Sequence, residues 1–322
     1  MRDIFLNRKV MEDRRNESLM RSSAGGENRA RTVLISTTIA AILVVSSVGF
    51  FVYDSSPSPP SPYLVSTLIG NASNPRPYYN TTNGYVSPNL WNLQKGNGNV
   101  TMQIYSNSSI FTKVYLSNLA QEVPVMAYSS IHFEYQIPML LSTVESDNFS
   151  SYVSFGIKYK SAGAFNDFGY DFFLGQGTNF QYEVMILLNI TPRVLNITPH
   201  GFIAYYSVPI VTIPIIIDGR TVNVQWYAFP IVSSTPGVSG AIRFTPVHAL
   251  NTSMTCLLSF APFISYLESR NIISPSWSIV RIGIGSEYGT QSSNFISYSF
   301  WMYSYFILNG TKYQVVQPSG GS

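Results

Sequence analysis

The chain has 322 residues, 45% of them hydrophobic and 11% charged, with a formal net charge of +3 and a single cysteine. That length and apolar content suffice for the core of one large β domain or two small ones, and they exclude disorder throughout. Residues 1–31 hold eight of the 19 Lys and Arg, leaving 11 basic against 11 acidic residues beyond; this excludes a nucleic-acid binder, whose basic groups must cluster across the folded domain.

Thr32 to Tyr53 is an uncharged, largely apolar stretch long enough to cross a bilayer as one helix. The basic segment 1–31 before it is too long for a signal-peptide head, and no small-x-small cleavage site follows Phe51. The stretch therefore reads as an uncleaved anchor. Arg21, Arg29 and Arg31 precede it and no Lys or Arg follows until Arg76, which places the N-terminus inside and the rest outside. Residues 54–62, Asp-Ser-Ser-Pro-Ser-Pro-Pro-Ser-Pro, read as an extended stalk. A single extracellular domain is expected over 63–322. Its sequons at Asn71, Asn80, Asn99, Asn107, Asn148, Asn189, Asn196, Asn251 and Asn309 fit an N-glycosylated outer surface.

Short alternating runs rich in Tyr, Phe, Val and Ile, punctuated by turn residues, predict an all-β sandwich for that domain. In Phe-Gly-Tyr-Asp-Phe-Phe-Leu, Asp171 shares a face with Gly169. Between Phe180 and Leu188, Phe180, Tyr182, Val184, Ile186 and Leu188 point one way, and Gln181, Glu183 and Met185 the other. Asp218-Gly219 supplies the positive φ angles of a two-residue hairpin, after which Val222, Val224 and Trp226 share a face. Cys256 sits in Cys-Leu-Leu-Ser-Phe, with no positive neighbour to activate it, and reads as a buried thiol. One helix is predicted over Pro262 to Arg270, closed by Asn271. Beyond it Ile282, Ile284 and Ser286 share a face, and Arg281, Gly283, Gly285 and Glu287 the opposite one. The two glycines beside Glu287 leave room for a ligand.

A carboxylate in an apolar strand costs free energy unless it is paired, hydrogen-bonded or neutral, so Glu183, Glu287 and Asp171 mark candidate chemistry. Glu122, Glu134, Glu145, Asp147, Asp167, Asp218 and Glu268 read as surface or turn residues. His132, His200 and His248 lack metal-ligand spacing, and no cofactor is implied. Trp226 and Trp301 read as packing residues.

Tyr170-Asp171-Phe172-Phe173, then Tyr182-Glu183-Val184-Met185-Ile186, then Gly285-Ser286-Glu287 resemble, in order, three signatures of glycoside hydrolase family 12. Asn89-Leu90-Trp91 is similar to that family's Asn-Asn-Leu-Trp-Gly segment. The resemblance spans roughly 75–310, with departures at Leu187 (Trp in the family), Asn92 (Gly) and Tyr288-Gly289 (Pro-Phe). It implies a concanavalin-like two-sheet β-jelly roll with a substrate groove, hydrolysing internal β-1,4 bonds of glucans with retention. It further implies Glu183 as nucleophile, Glu287 as general acid and base, and Asp171 as the partner of the nucleophile. Met185, Asn89 and Trp91 would contact the sugar. Two other classes share the anchor, stalk and sequons: a non-catalytic glycan-binding or envelope protein, and an acid peptidase using a carboxyl pair. The scarcity of charge fits an acidic exterior such as that of thermoacidophiles.

Overall fold

The computed structural model describes residues 62–93, 95–119, 125–191, 209–231, 237–290 and 293–315. The basic head, the apolar stretch 32–53, nearly all of the stalk, Asn196, Glu122 and His200 lie outside them. Among the described residues no helix is long and apolar enough to cross a membrane.

Seven strands come first: β1 (Leu64–Gly70), β2 (Tyr79–Thr81), β3 (Gly84–Ser87), β4 (Asn97–Tyr105), β5 (Ser109–Ser117), β6 (Ala127–Phe133) and β7 (Met139–Leu140). A short helix α1 (Leu141–Ser146) leads to β8 (Ser150–Lys160), β9 (Ala164–Gly175) and β10 (Tyr182–Ile190). Then follow β11 (Ile210–Ile217), β12 (Arg220–Ile231), β13 (Gly240–Pro246), β14 (Ser253–Ser259) and helix α2 (Ala261–Ser269). β15 (Ser278–Thr290), β16 (Ile296–Leu308) and β17 (Thr311–Gln314) complete the order.

One layer runs β1-β4-β5-β16-β8-β14. The other runs β12-β13-β10-β9-β15-β6-β3-β2. β11 pairs with both β12 and β14 and so joins the layers along one edge. These ladders are antiparallel except β10 with β13, which is parallel.

The layers meet through alternate residues of their long strands, as the period of two requires. Phe168, Tyr170 and Phe172 of β9, Val184, Ile186 and Leu188 of β10, and Ile282 and Ile284 of β15 are buried in one core cluster. Phe155, Phe300 and Met302 from the other layer join them. The Phe155 and Phe168 rings stack at 4.1 Å across the interface. The protein is therefore an all-β sandwich, as the alternation predicts.

Among the described residues two helices occur in the β domain rather than one. α2 covers the predicted helix, with Pro262 in its first turn, Phe263, Ile264 and Leu267 buried, and Asn271 following at φ +54°. α1 escapes sequence reading because it is one short run without a side-chain cap, held by burial of Leu141 and Val144. The hairpin at Asp218-Gly219 forms as expected, with φ of 48° and 77°. Cys256 is buried, and burial pushes its thiol up to about 12, which keeps it inert.

Trp226 is fully buried, edge-on to Phe263 of α2 at 5.4 Å. Trp226→Ala is expected to cost about 3–5 kcal/mol, because the cavity left between β12 and α2 cannot fully collapse; urea unfolding of the full chain would measure it. Trp301 is half-buried, under the Lys158 ammonium at 5.9 Å.

Exposed Asn80, Asn99, Asn107, Asn148, Asn251 and Asn309 and half-buried Asn71 sit on the surface. Asn189 does not: it is 8% exposed and donates its amide to the Leu250 carbonyl at 3.4 Å. A glycan on Asn189 is incompatible with this fold, which corrects the expectation for that sequon.

Candidate active site

The faces turned away from the core carry the polar residues. On β9 alternation sets Asp167, Gly169, Asp171 and Phe173 on that face, opposite core residues Phe168, Tyr170 and Phe172. β10 contributes Glu183, Met185 and Leu187, and β15 contributes Arg281, Gly283, Gly285 and Glu287. Because β9 is hydrogen-bonded between β10 and β15, the three candidate acids occupy neighbouring strands.

Register sorts them into levels. Glu287 lies between Tyr128 of β6 and Asp167 of β9. One step along, Gly285 lies between Ser130 and Gly169, and Gly169 faces Leu187. Next come His132, Gly283, Asp171, Met185 and Arg243 in cross-strand order. The last level sets Arg281 against Phe173 and Phe173 against Glu183. Asp171 thus lies between the levels of the two glutamates.

A narrow cleft brings together Asp171, Met185 and Glu287 of the expected set with Asp167, Tyr128, Gly169 and Leu187. Glu183, 4% exposed, does not line that cleft, but its charge acts on both Asp171 and Glu287. Asn89, with φ 39°, accepts from the Tyr128 backbone at 3.1 Å and lines a second cavity beside the cleft, with Tyr85, His132 and Arg281. Trp91 is half-buried in the turn after Leu90 and lines neither cavity.

Asp167 is the largest departure from expectation. It is no surface or turn residue: it is 4% exposed and hydrogen-bonded to Glu287 through both side chain and backbone. Ser286 fixes the strand beside it, donating its hydroxyl to the Asp167 carbonyl at 2.6 Å. The glycines also differ from expectation. A side chain at Gly285 would strike the Ser129 backbone, and one at Gly283 would meet the His132 imidazole at 3.0 Å. These glycines serve close strand approach and imidazole packing rather than ligand space.

The acids act on one another. Burial, then the charges of Asp167, Asp171 and Glu183, raise the Glu287 carboxyl well above its ordinary range, against a lowering by Arg243. Burial, then Glu183, likewise raise Asp171, against Arg281. Burial pushes Asp167 up to about 7, with Arg243 and the hydrogen bonds to Glu287 opposing. Desolvation favours the neutral form of a carboxyl, so this group of acids retains protons that solvent-exposed acids lose. His132 is neutral by the same cause, lowered to about 3 by burial and then by Arg281.

These shifts fix the sign of the pH dependence of stability. Unfolded Asp and Glu titrate near 4, so between about pH 4 and 7 the unfolded chain has released protons that the native acids keep; stability falls as pH rises through that window. His132 acts oppositely, because between about pH 3 and 6.5 the unfolded imidazole binds a proton that the native one does not. Three carboxyls outweigh one imidazole. The melting temperature of the full chain is expected to be higher at pH 4.5 than at pH 7, by roughly 5 °C or more. Scanning calorimetry across that range checks it.

Tyr128, Asp167 and Arg243 are the site residues that sequence reading missed. A signal existed for Asp167, which is four residues before Asp171 and so shares its face. Among the described residues no group of three or more His, Cys, Asp or Glu is placed to hold a metal ion.

No protein-family model matches the chain, and no curated protein matches it. Solved structures do. A native family 12 xyloglucanase from Bacillus licheniformis superposes with a TM-score of 0.54 at 18% identity, over 76% of this chain and 100% of its own. An endoglucanase from Rhodothermus marinus gives 0.54 at 15% identity, over 77% and 100%. Endoglucanase 3 of family 12 from Trichoderma harzianum gives 0.52 at 18% identity, over 75% and 97%. The β sandwich of this protein is therefore the fold of the family 12 glycoside hydrolases.

Proposed function

We propose that the protein is a retaining endo-β-1,4-glucanase. The observation that carries this reading is the grouping of Glu183, Asp171 and Glu287 on three neighbouring strands of a fold shared with xyloglucanases and endoglucanases. Retention needs one carboxylate to attack the anomeric carbon and one carboxylic acid to protonate the departing oxygen, about 5–5.5 Å apart. Glu287 suits the acid, because its surroundings hold the proton on. Glu183 attacks and forms a glycosyl ester while Glu287 gives its proton to the leaving oxygen. Glu287, now a carboxylate, then takes a proton from the water that displaces Glu183. Asp171, itself held protonated, has a buried carboxyl oxygen with no hydrogen-bond partner. It is free to donate to Glu183 as charge returns to that oxygen. Met185, across from Asp171, packs against the sugar ring at the point of attack.

The full chain in detergent should release reducing ends from soluble β-1,4-glucan between pH 2 and 7. No release at any pH or temperature would reject the reading, and cleavage of denatured protein in acid would favour a peptidase. The reading extends to an anchored enzyme, with residues 32–53 in the bilayer, 54–62 as stalk and the glycan-bearing domain outside. Extraction of expressing membranes with alkaline carbonate should leave the chain in the pellet; its complete release would remove the anchor.

A further inference from the structure

Beside the acid cleft lies a second cavity of about 360 Å³ whose lining includes Arg76, Arg281, Tyr85, Asn89 and Glu134. That volume is in the range that takes a small ligand. Its charge is unusual for a neutral-sugar site, since two guanidinium groups face it and one carboxyl.

Arg281 is half-buried and held in place. Its guanidinium lies 5.5 Å from the centres of both the Phe173 and the Phe180 ring, and it hydrogen-bonds the Tyr85 hydroxyl. A guanidinium keeps its charge in every protein setting. Asp171, the acid beside it in the cleft, is pushed toward its neutral form by burial and then by Glu183, against Arg281. Glu134 is exposed, as is Arg76 on the cavity's other wall. A stacked, half-buried cation facing a cavity whose lining holds two guanidinium groups to one exposed carboxyl is stabilised by an incoming anion, and the guanidinium fork matches a planar carboxylate in particular. Asn89 adds an amide suited to sugar hydroxyls.

We propose that this cavity is a subsite for a sugar unit bearing a carboxylate, so that the chain acts on an acidic β-glucan containing uronate units. The inference rests on the glycan-hydrolase reading for its catalytic consequence, but the subsite can be tested by binding alone. The full chain carrying Glu183→Gln would be titrated calorimetrically at pH 5.5 with β-1,4-linked glucotetraose, with the same chain oxidised to one glucuronate, and with its methyl ester. The uronate form is expected to bind about tenfold tighter or more than its ester, from one or two charge-assisted hydrogen bonds. That ratio should shrink with added salt and fall below about threefold in Arg281→Gln and in Arg76→Gln, the latter at an exposed position that does not threaten the fold. Equal binding of acid and ester, no binding of either, or a ratio that survives both substitutions would overturn the subsite. A sulfated tetrasaccharide binding tighter than the uronate would also overturn it, by identifying a sulfate site instead. Loss of the glycosidase reading would show separately, as wild-type chain that hydrolyses none of these sugars while the binding ratio persists.

Discussion

Glu183→Gln in the full chain is expected to lower kcat on soluble β-1,4-glucan by at least ~10³-fold, with thermal unfolding close to wild type. An amide cannot form the glycosyl ester, so no second-best route through the same intermediate exists. Glu287→Gln should behave differently, because its loss removes proton transfer and not the covalent step. On glucan the expected loss is about 10²–10⁴-fold, and on an aryl glycoside whose leaving group needs no proton the loss in the first step should be far smaller. Comparing the two variants on the two substrates separates nucleophile from acid. If Glu183→Gln retains activity, or if Glu287→Gln is equally impaired on both substrates, the assignment of roles is wrong.

Asp167→Asn should move the basic limb of the kcat/KM profile toward acid. Asp167 is the cross-strand neighbour of Glu287 and, after burial, the first of the negative charges that raise its carboxyl. Asp171 and Glu183 push the same way and Arg243 the other, so the shift is partial and its direction is set by the charge removed. The basic limb reports loss of the proton from the general acid, which occurs at lower pH once that neighbour is neutral. The same variant should gain stability at pH 7, because a buried carboxyl raised to about 7 costs free energy there relative to its ionised unfolded form, and the amide does not. Asp218→Asn, on the exposed hairpin, serves as control. An unchanged limb in Asp167→Asn would mean that Asp167 does not govern the acid.

Much of this arrangement is visible in the residue pattern, for a definite reason. Strand alternation is local, so Val184, Ile186 and Leu188 point to the core while Glu183 and Met185 point away, and Ile282 and Ile284 oppose Glu287 in the same manner. Register across strands is not local. Nothing in Gly-Ala-Ile-Arg-Phe indicates that β13 runs parallel to β10 and sets Arg243 beside Met185. Asn166-Asp167 has the composition of a turn, yet β9 continues straight through it, because Phe165 and Phe168 are buried and β15 pairs along the whole strand. Gly283 and Gly285 look like space for a ligand until β6 is placed alongside, after which their missing side chains are accounted for by His132 and Ser129. Trp91 lies half-buried in the turn after Leu90; its short motif specifies that turn but not the direction of the indole.

Mass spectrometry of a trapped enzyme tests most directly whether Glu183 forms the covalent intermediate. The full chain would be incubated with a 2-deoxy-2-fluoro-cellotrioside carrying a good leaving group, digested, and its peptides sequenced. A fluoroglycosyl group is predicted on Glu183 and nowhere else. A label on Asp171, Asp167 or Glu287, or hydrolysis that proceeds with inversion and leaves no label, would contradict it.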